Sequence, residues 1–249
     1  MEMLKFLAIY AVLVLTASHE ALAVDLRGVP WNESSIEALR TPDKSSVEAL
    51  VNELRNGDPQ HAYVGEFAWV DLASDDQYHL VATEDLSGRA HFYYLAIYTR
   101  SDAGDIAVQW IEGDEITDLS KVIRDLDGDG KDELIVPSYL HPQGPQVNPL
   151  QPTVRWPKVY SLRDGRYVDA STEFPKFYDE EVLPKLENEI ERARQKVATN
   201  PNPAIPSPGD PYFAQREAEA RYPQRLLEAL EMSRDQILQV LGRKAGHER

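Results

Sequence analysis

The stretch DLDGDGKDELIV, Asp125 to Val136, sets three aspartates at alternate positions, threads two glycines between them and runs directly into an apolar, strand-like segment. Carboxylates crowded into one turn repel each other unless a cation sits among them, and calcium takes six to eight oxygen ligands. Asp125, Asp127 and Asp129 can supply side-chain oxygens, Lys131 a backbone carbonyl, and Glu133 the closing carboxylate. Gly128 and Gly130 let the backbone curl around the ion at positive φ. An all-oxygen set excludes the nitrogen and sulfur preferences of zinc and copper, and the ligand number favours calcium over magnesium. The same stretch decides the fold. An EF-hand needs a bidentate Glu at loop position twelve and a helix on each side, whereas position twelve is Val136 and Leu134-Ile135-Val136 reads as strand. The loop therefore joins two strands.

Outward from it, period-two runs rich in aromatic and β-branched residues predict further strands. Upstream they are EFAWVDL, HLVATED, HFYYLAIYTR and IAVQWIE; around and after the loop they are KVIRDL, DELIVPSYL, TVRWPKVYSL and RYVDAST. The two sets can be laid on each other. DLASDDQYHLVA (Asp71 to Ala82) aligns without a gap on the opening stretch at an offset of 54, and Ile97-Tyr98-Thr99 matches Val159-Tyr160-Ser161 at an offset of 62, with HPQGPQVN absorbing the difference. One four-stranded unit is written twice. In the first copy Asp71 and Asp75 persist, but Ala73 and His79 replace the third and ninth positions and Asp76 replaces the glycine. That loop is expected to hold no calcium, its aspartates serving as turn formers.

The pattern DxDxDGxxE at Asp125 to Glu133 resembles the calcium-binding hairpin of FG-GAP or VCBS-type repeats, as in integrin α-chain-like β-propellers. The resemblance spans roughly Glu66 to Thr172 and is strongest at Asp125 to Val136. It implies that each four-stranded unit is a propeller-like blade, and that the repeat belongs to an interaction domain. Two units are fewer than the four to eight blades that close a propeller. The expected fold is mainly β with flanking α: two tandem blade-like repeats, as an incomplete propeller or a sandwich-like pair, with helices covering the exposed edges.

Those helices lie on either side. Lys5, the apolar run Phe6 to Leu15 and Ala21-Leu22-Ala23 have the three zones of a secretory signal peptide, so residues 1–23 are expected to be removed. The apolar run is about half the roughly 20 residues a membrane-spanning helix needs. Within the segment 24–59, Ser46, Val47, Leu50, Val51 and Leu54 predict a short amphipathic helix opened by Ser45 or Ser46 and ended at Asn56-Gly57. The β domain is expected over 60–173, with repeats at about 64–113 and 116–173. From 174 to 249 the period is helical again: Leu183, Leu186, Ile190, Ala193 and Val197 form one stripe, and Leu227, Leu230, Ile237 and Leu241 another. Between them NPNPAIPSPGDP (200–211), with five prolines, is a stiff connector, so the two stripes predict a helical hairpin.

A chain with no cysteine has neither disulfides nor thiolate catalysis, and a formal charge of −16 argues against nucleic acid or an anionic membrane as partner. GxSxG, HExxH and phosphate-loop patterns are absent, and the six histidines have no readable partners. The function expected is therefore a secreted or periplasmic, calcium-stabilised binding or scaffold module, not an enzyme, whose partner is a protein or glycan of the envelope or extracellular space. The alternative is a glycan-acting hydrolase or lectin, with paired carboxylates beside aromatic residues such as Trp69, Trp110, Trp156 and the run Phe92 to Tyr94.

Overall fold

The computed structural model describes residues 26–35, 44–54, 63–73, 76–85, 93–140, 154–201 and 209–243, with the single positions 204 and 207. The expected signal peptide, the HPQGPQVN segment, Asp75, Phe92 and much of the proline-rich connector lie outside the described residues.

A 3₁₀ turn at Glu33–Ser35 precedes helix α1 (Lys44–Leu54), and two antiparallel sheets follow. The first contains β1 (Tyr63–Val70), β2 (His79–Asp85), β3 (Tyr94–Arg100) and β4 (Ile106–Glu112), in that order. The second contains β5 (Ile123–Arg124), β6 (Glu133–Leu140), β7 (Val154–Arg163) and β8 (Arg166–Asp169), again in sequence order. Helical turn α2 (Leu119–Val122) lies between the sheets in sequence. After β8 the chain passes through α3 (Pro175–Phe177) and a π-helical turn (Tyr178–Val182) into α4 (Leu183–Thr199), and then α5 (Phe213–Val240). The protein is mainly β with flanking helices.

The two ladders have equivalent registers. In the first sheet Trp69 faces Leu80, Val70 faces His79 and Leu80 faces Tyr98. In the second, Ile123 faces Leu134, Arg124 faces Glu133 and Leu134 faces Tyr160, so each pair recurs at the offsets of 54 and 62 visible in the sequence. Alternation along each strand then sends side chains to opposite faces. Val81, Leu95, Ile97, Leu134, Val136 and Tyr167 meet in one buried cluster between the sheets. On the far face of the first sheet, Leu80, Ala82, Ala96 and Tyr98 pack with Leu26, Trp31 and the Val47, Leu50 and Val51 stripe of α1. On the far face of the second, Ile135, Trp156 and Val159 pack under Leu186, Ile190 and Ala193 of α4 and Ala229, Leu230 and Ile237 of α5. Four layers result, with a core in each of the three spaces between them.

Three local expectations change. The helices lie on the outer sheet faces, where far more apolar area is available than along a strand edge. KVIRDL does not begin as strand: Asp118 caps the turn by accepting from Ser120 N at 3.1 Å and pairs with Lys121 Nζ at 2.8 Å, leaving only Ile123 and Arg124 to the ladder. Helix α1 starts at Lys44, so Ser46 lies within its first turn and is buried.

Close contacts also join the two halves beside that cluster. Gly113 follows β4 at a point where an added Cβ would stand 2.6 Å from Val136 Cγ1 and 2.9 Å from the Pro137 carbonyl oxygen, so only glycine fits. The Gln109 side chain acts as a short piece of strand against β8: its Nε2 donates to the Tyr167 carbonyl at 2.6 Å and its Oε1 accepts from Tyr167 N at 2.8 Å.

Candidate metal centre

Strand β5 ends at Arg124 and β6 opens at Glu133, directly opposite in the ladder, so the acidic loop is pinned at both ends. Its backbone is wound by its own carboxylates. Asp125 Oδ1 accepts from Gly128 N at 2.7 Å and Oδ2 from Gly130 N at 3.1 Å. Asp127 Oδ1 accepts from Asp129 N at 3.1 Å, and Asp129 Oδ1 from Lys131 N at 2.8 Å. The curl needs positive φ at Gly128 (+81°) and Gly130 (+85°), which glycine adopts without a Cβ clash.

Within this curl Asp125, Asp127 and Glu133 each offer a carboxylate oxygen, all within 4.8 Å of one another, and the group could hold a metal ion. The two aspartates are exposed, whereas Glu133 is 5% exposed and anchored by Leu126 N, which donates to Oε2 at 3.0 Å. Burial raises the Glu133 carboxyl above the usual range, against the opposing effect of the Leu126 hydrogen bond, and repulsion from Asp127, Asp129 and Asp125 adds to the rise. Asp132 is raised as well, by burial first and then by Asp125 and by Asp71 of the other repeat. A bound cation would reverse these repulsions, and oxygen ligands on one flexible turn are the donor set a hard divalent ion takes.

Of the residues expected to hold the ion, the structure gathers Asp125, Asp127 and Glu133. Asp129 is outside that group, with its Oδ2 3.9 Å from Lys131 Nζ. Three features around the loop have no motif in the sequence. Leu126 turns inward and packs against the helical core. Arg124 forms a bidentate pair with Glu181 of the π-helical turn, at 2.9 and 2.6 Å, and lies 5.8 Å from the centre of the Phe177 ring. Asp132 joins the field of both repeats. Only Leu126, an apolar residue in a run of charge, gave a local hint.

The matching loop in the first sheet is wound by an equivalent bond, since Asp76 N donates to Asp71 Oδ2 at 3.1 Å. Asp76 has φ +64°, and its Oδ1 accepts from Glu33 N at 2.9 Å. His79, at the position equivalent to Glu133, is buried. Of the tryptophans considered for glycan stacking, Trp156 is buried in the helical core, Trp69 meets the Trp31 ring edge-on at 4.9 Å, and Trp110 is 44% exposed with Nε1 donating to buried Glu84.

Among the described residues no helix is long and apolar enough to cross a membrane. Comparison of the chain with protein-family models, with curated proteins and with solved structures found no match.

Proposed function

We propose that this chain is an exported binding or scaffold module, without catalytic activity of its own, whose second repeat is stabilised by one calcium ion. The observation that carries the proposal is the convergence of Asp125, Asp127 and buried Glu133 inside a turn already wound by backbone hydrogen bonds. Asp129 and the Lys131 carbonyl complete the shell in this reading, moving inward as the ion binds. The FG-GAP or VCBS resemblance supports calcium over magnesium and an interaction role. The signal-like N-terminus supports export to the periplasm or beyond, where a protein or glycan partner would be met.

The test is isothermal titration of the mature chain with calcium and, separately, magnesium. One calcium per chain is expected, with a dissociation constant of about 10⁻⁴ to 10⁻³ M, the range of extracellular modules. Absence of heat, or binding that survives Asp127→Ala, overturns the calcium reading. Recovery of the same partner from the cell envelope with calcium but not with chelator would extend the reading to the interface. Turnover of a glycan by the purified chain would replace it with the hydrolase reading.

A further inference from the structure

We propose that the cation loop is also a latch for the helical layer, so that calcium occupancy sets how firmly the π-helical turn and α4 dock on the second sheet. This rests on the calcium reading of the loop and adds a conformational consequence to it. Two residues carry the coupling, and both are joined to the ligand set through the backbone. Leu126 lies between ligands Asp125 and Asp127; its amide is held by Glu133 Oε2 at 3.0 Å, and its side chain packs against the core formed by Trp156, Phe177, Leu186 and Ile237. Arg124 immediately precedes Asp125, and its guanidinium grips Glu181 with two hydrogen bonds beside the Phe177 ring. The element it grips is a π-helical turn, an uncommon winding that recurs at functional positions in helices. At the equivalent positions of the first repeat, residue 124 is replaced by Val70 and residue 126 by Leu72, which is buried between the sheets instead of under a helix.

The contacts also border an opening in the helical layer. A groove of about 560 Å³ runs between α2, β6, β7 and α4; Arg124 and Glu181 stand in its wall, and Ile135, Phe177, Leu186 and Ile237 form its apolar floor. With the loop carboxylates repelling each other, Leu126 and Arg124 lose their fixed positions and the wall of the groove loosens. With the cation bound, both are fixed and the helices close down on the sheet. Because coupling between two parts of a protein is reciprocal, undocking the helical layer must weaken calcium binding by the factor by which calcium favours docking, and a variant that loosens the layer must weaken it by part of that factor.

The experiment is amide hydrogen exchange on the mature chain with calcium and with chelator, paired with calcium titration of two uncharged variants, Phe177→Leu and Leu126→Ala. Neither removes a ligand oxygen nor alters the net charge at the loop. Calcium is expected to slow exchange over residues 175–199 by about ten-fold or more beyond the slowing that global stabilisation brings to β2 and β3. Both variants are expected to weaken calcium binding about five-fold, at the low end of typical coupling. Calcium that binds the wild-type chain but slows exchange only in residues 125–133, or equally in both sheets, overturns the latch and leaves the calcium site standing. Calcium affinity unchanged in Phe177→Leu does the same without relying on the more invasive Leu126 variant. A wild-type chain that binds no calcium removes the site and the latch together.

Discussion

The two hairpin loops, Asp71 to His79 and Asp125 to Glu133, occupy equivalent places in equivalent ladders and are put to different uses. In each, the first aspartate accepts from the amide five residues on, at 3.1 Å in both. In each, that fifth residue has positive φ, supplied by Asp76 in one and Gly130 in the other, and aspartate is among the few residues that tolerate it. The difference lies in the carboxylates added to this frame. In the second loop Asp127 and Glu133 point with Asp125 toward a common centre. In the first, Ala73 and His79 stand at the matching positions, and Asp76 holds the Glu33 amide. Tyr78 N donating to Trp31 O at 2.9 Å and an Asn32–Gln77 bridge complete that attachment. One turn geometry therefore brings three carboxylates together where they could hold a metal ion, and fastens the N-terminal segment where they do not converge.

If the frames are equivalent, damage at matching positions must cost about the same, although Leu80 lies in the core under α1 and Leu134 in the core between the sheets. Leu80 and Leu134 occupy matching positions and are both fully buried. Leu80→Ala and Leu134→Ala are each expected to lose about 2–5 kcal/mol in denaturant unfolding. A loss confined to one of them would show that the sheets are not equally structural. The loops themselves are separated by calcium. At about a hundred times the dissociation constant the ion should add roughly 2.7 kcal/mol, a rise in melting temperature of about 5–11 °C for a chain of this size. Asp125→Asn should abolish that rise. Asp71→Asn should leave it intact, because an amide oxygen can still accept from Asp76 N and the first loop is expected to bind no ion. Equal effects of the two substitutions would place a cation in both loops or in neither.

The joint between the halves gives a smaller effect. Gln109→Ala strips both hydrogen bonds from the Tyr167 backbone, for an expected loss of about 1–3 kcal/mol. Protection of the Tyr167 amide against exchange should fall with it. The smallest effect separates Arg124 from its counterpart Val70. The Arg124 hydrogen bonds hold the Glu181 carboxyl below its usual range. A carboxyl lowered on folding contributes stability that is present above its unfolded value and lost as pH falls through the folded one. Acid unfolding should therefore show this loss in the wild type, and Glu181→Gln should remove that part of the pH dependence. With the two side chains 39% and 37% exposed, the amount is only about 0.2–1 kcal/mol.

Much of this was legible before folding because it depends on periods and spacings. The period of two marked the strands, the offset of 54 marked which positions of the two units correspond, and the glycines at 128 and 130 marked where the acidic turn must curl. Asp118 shows why boundaries were harder: a single capping side chain converts the start of a strand-like run into a helical turn, and that competition is settled by local hydrogen bonds that period alone does not register. The site divides in the same way. Alternate aspartates at 125, 127 and 129 were enough to propose oxygen ligation, since charge density in one turn is a property of the sequence. The depth of Glu133, the inward turn of Leu126, the grip of Arg124 on Glu181 and the approach of Asp71 to Asp132 were decided only when sheets and helices packed. Sequence sets which groups are neighbours along the chain, and so fixed the repeat, the turn and its charge. Burial, and the part of the potential that Asp132 takes from Asp71 and Glu181 from Arg124, depend on residues far apart along the chain, 57 positions in the second case, and arise only in the tertiary structure.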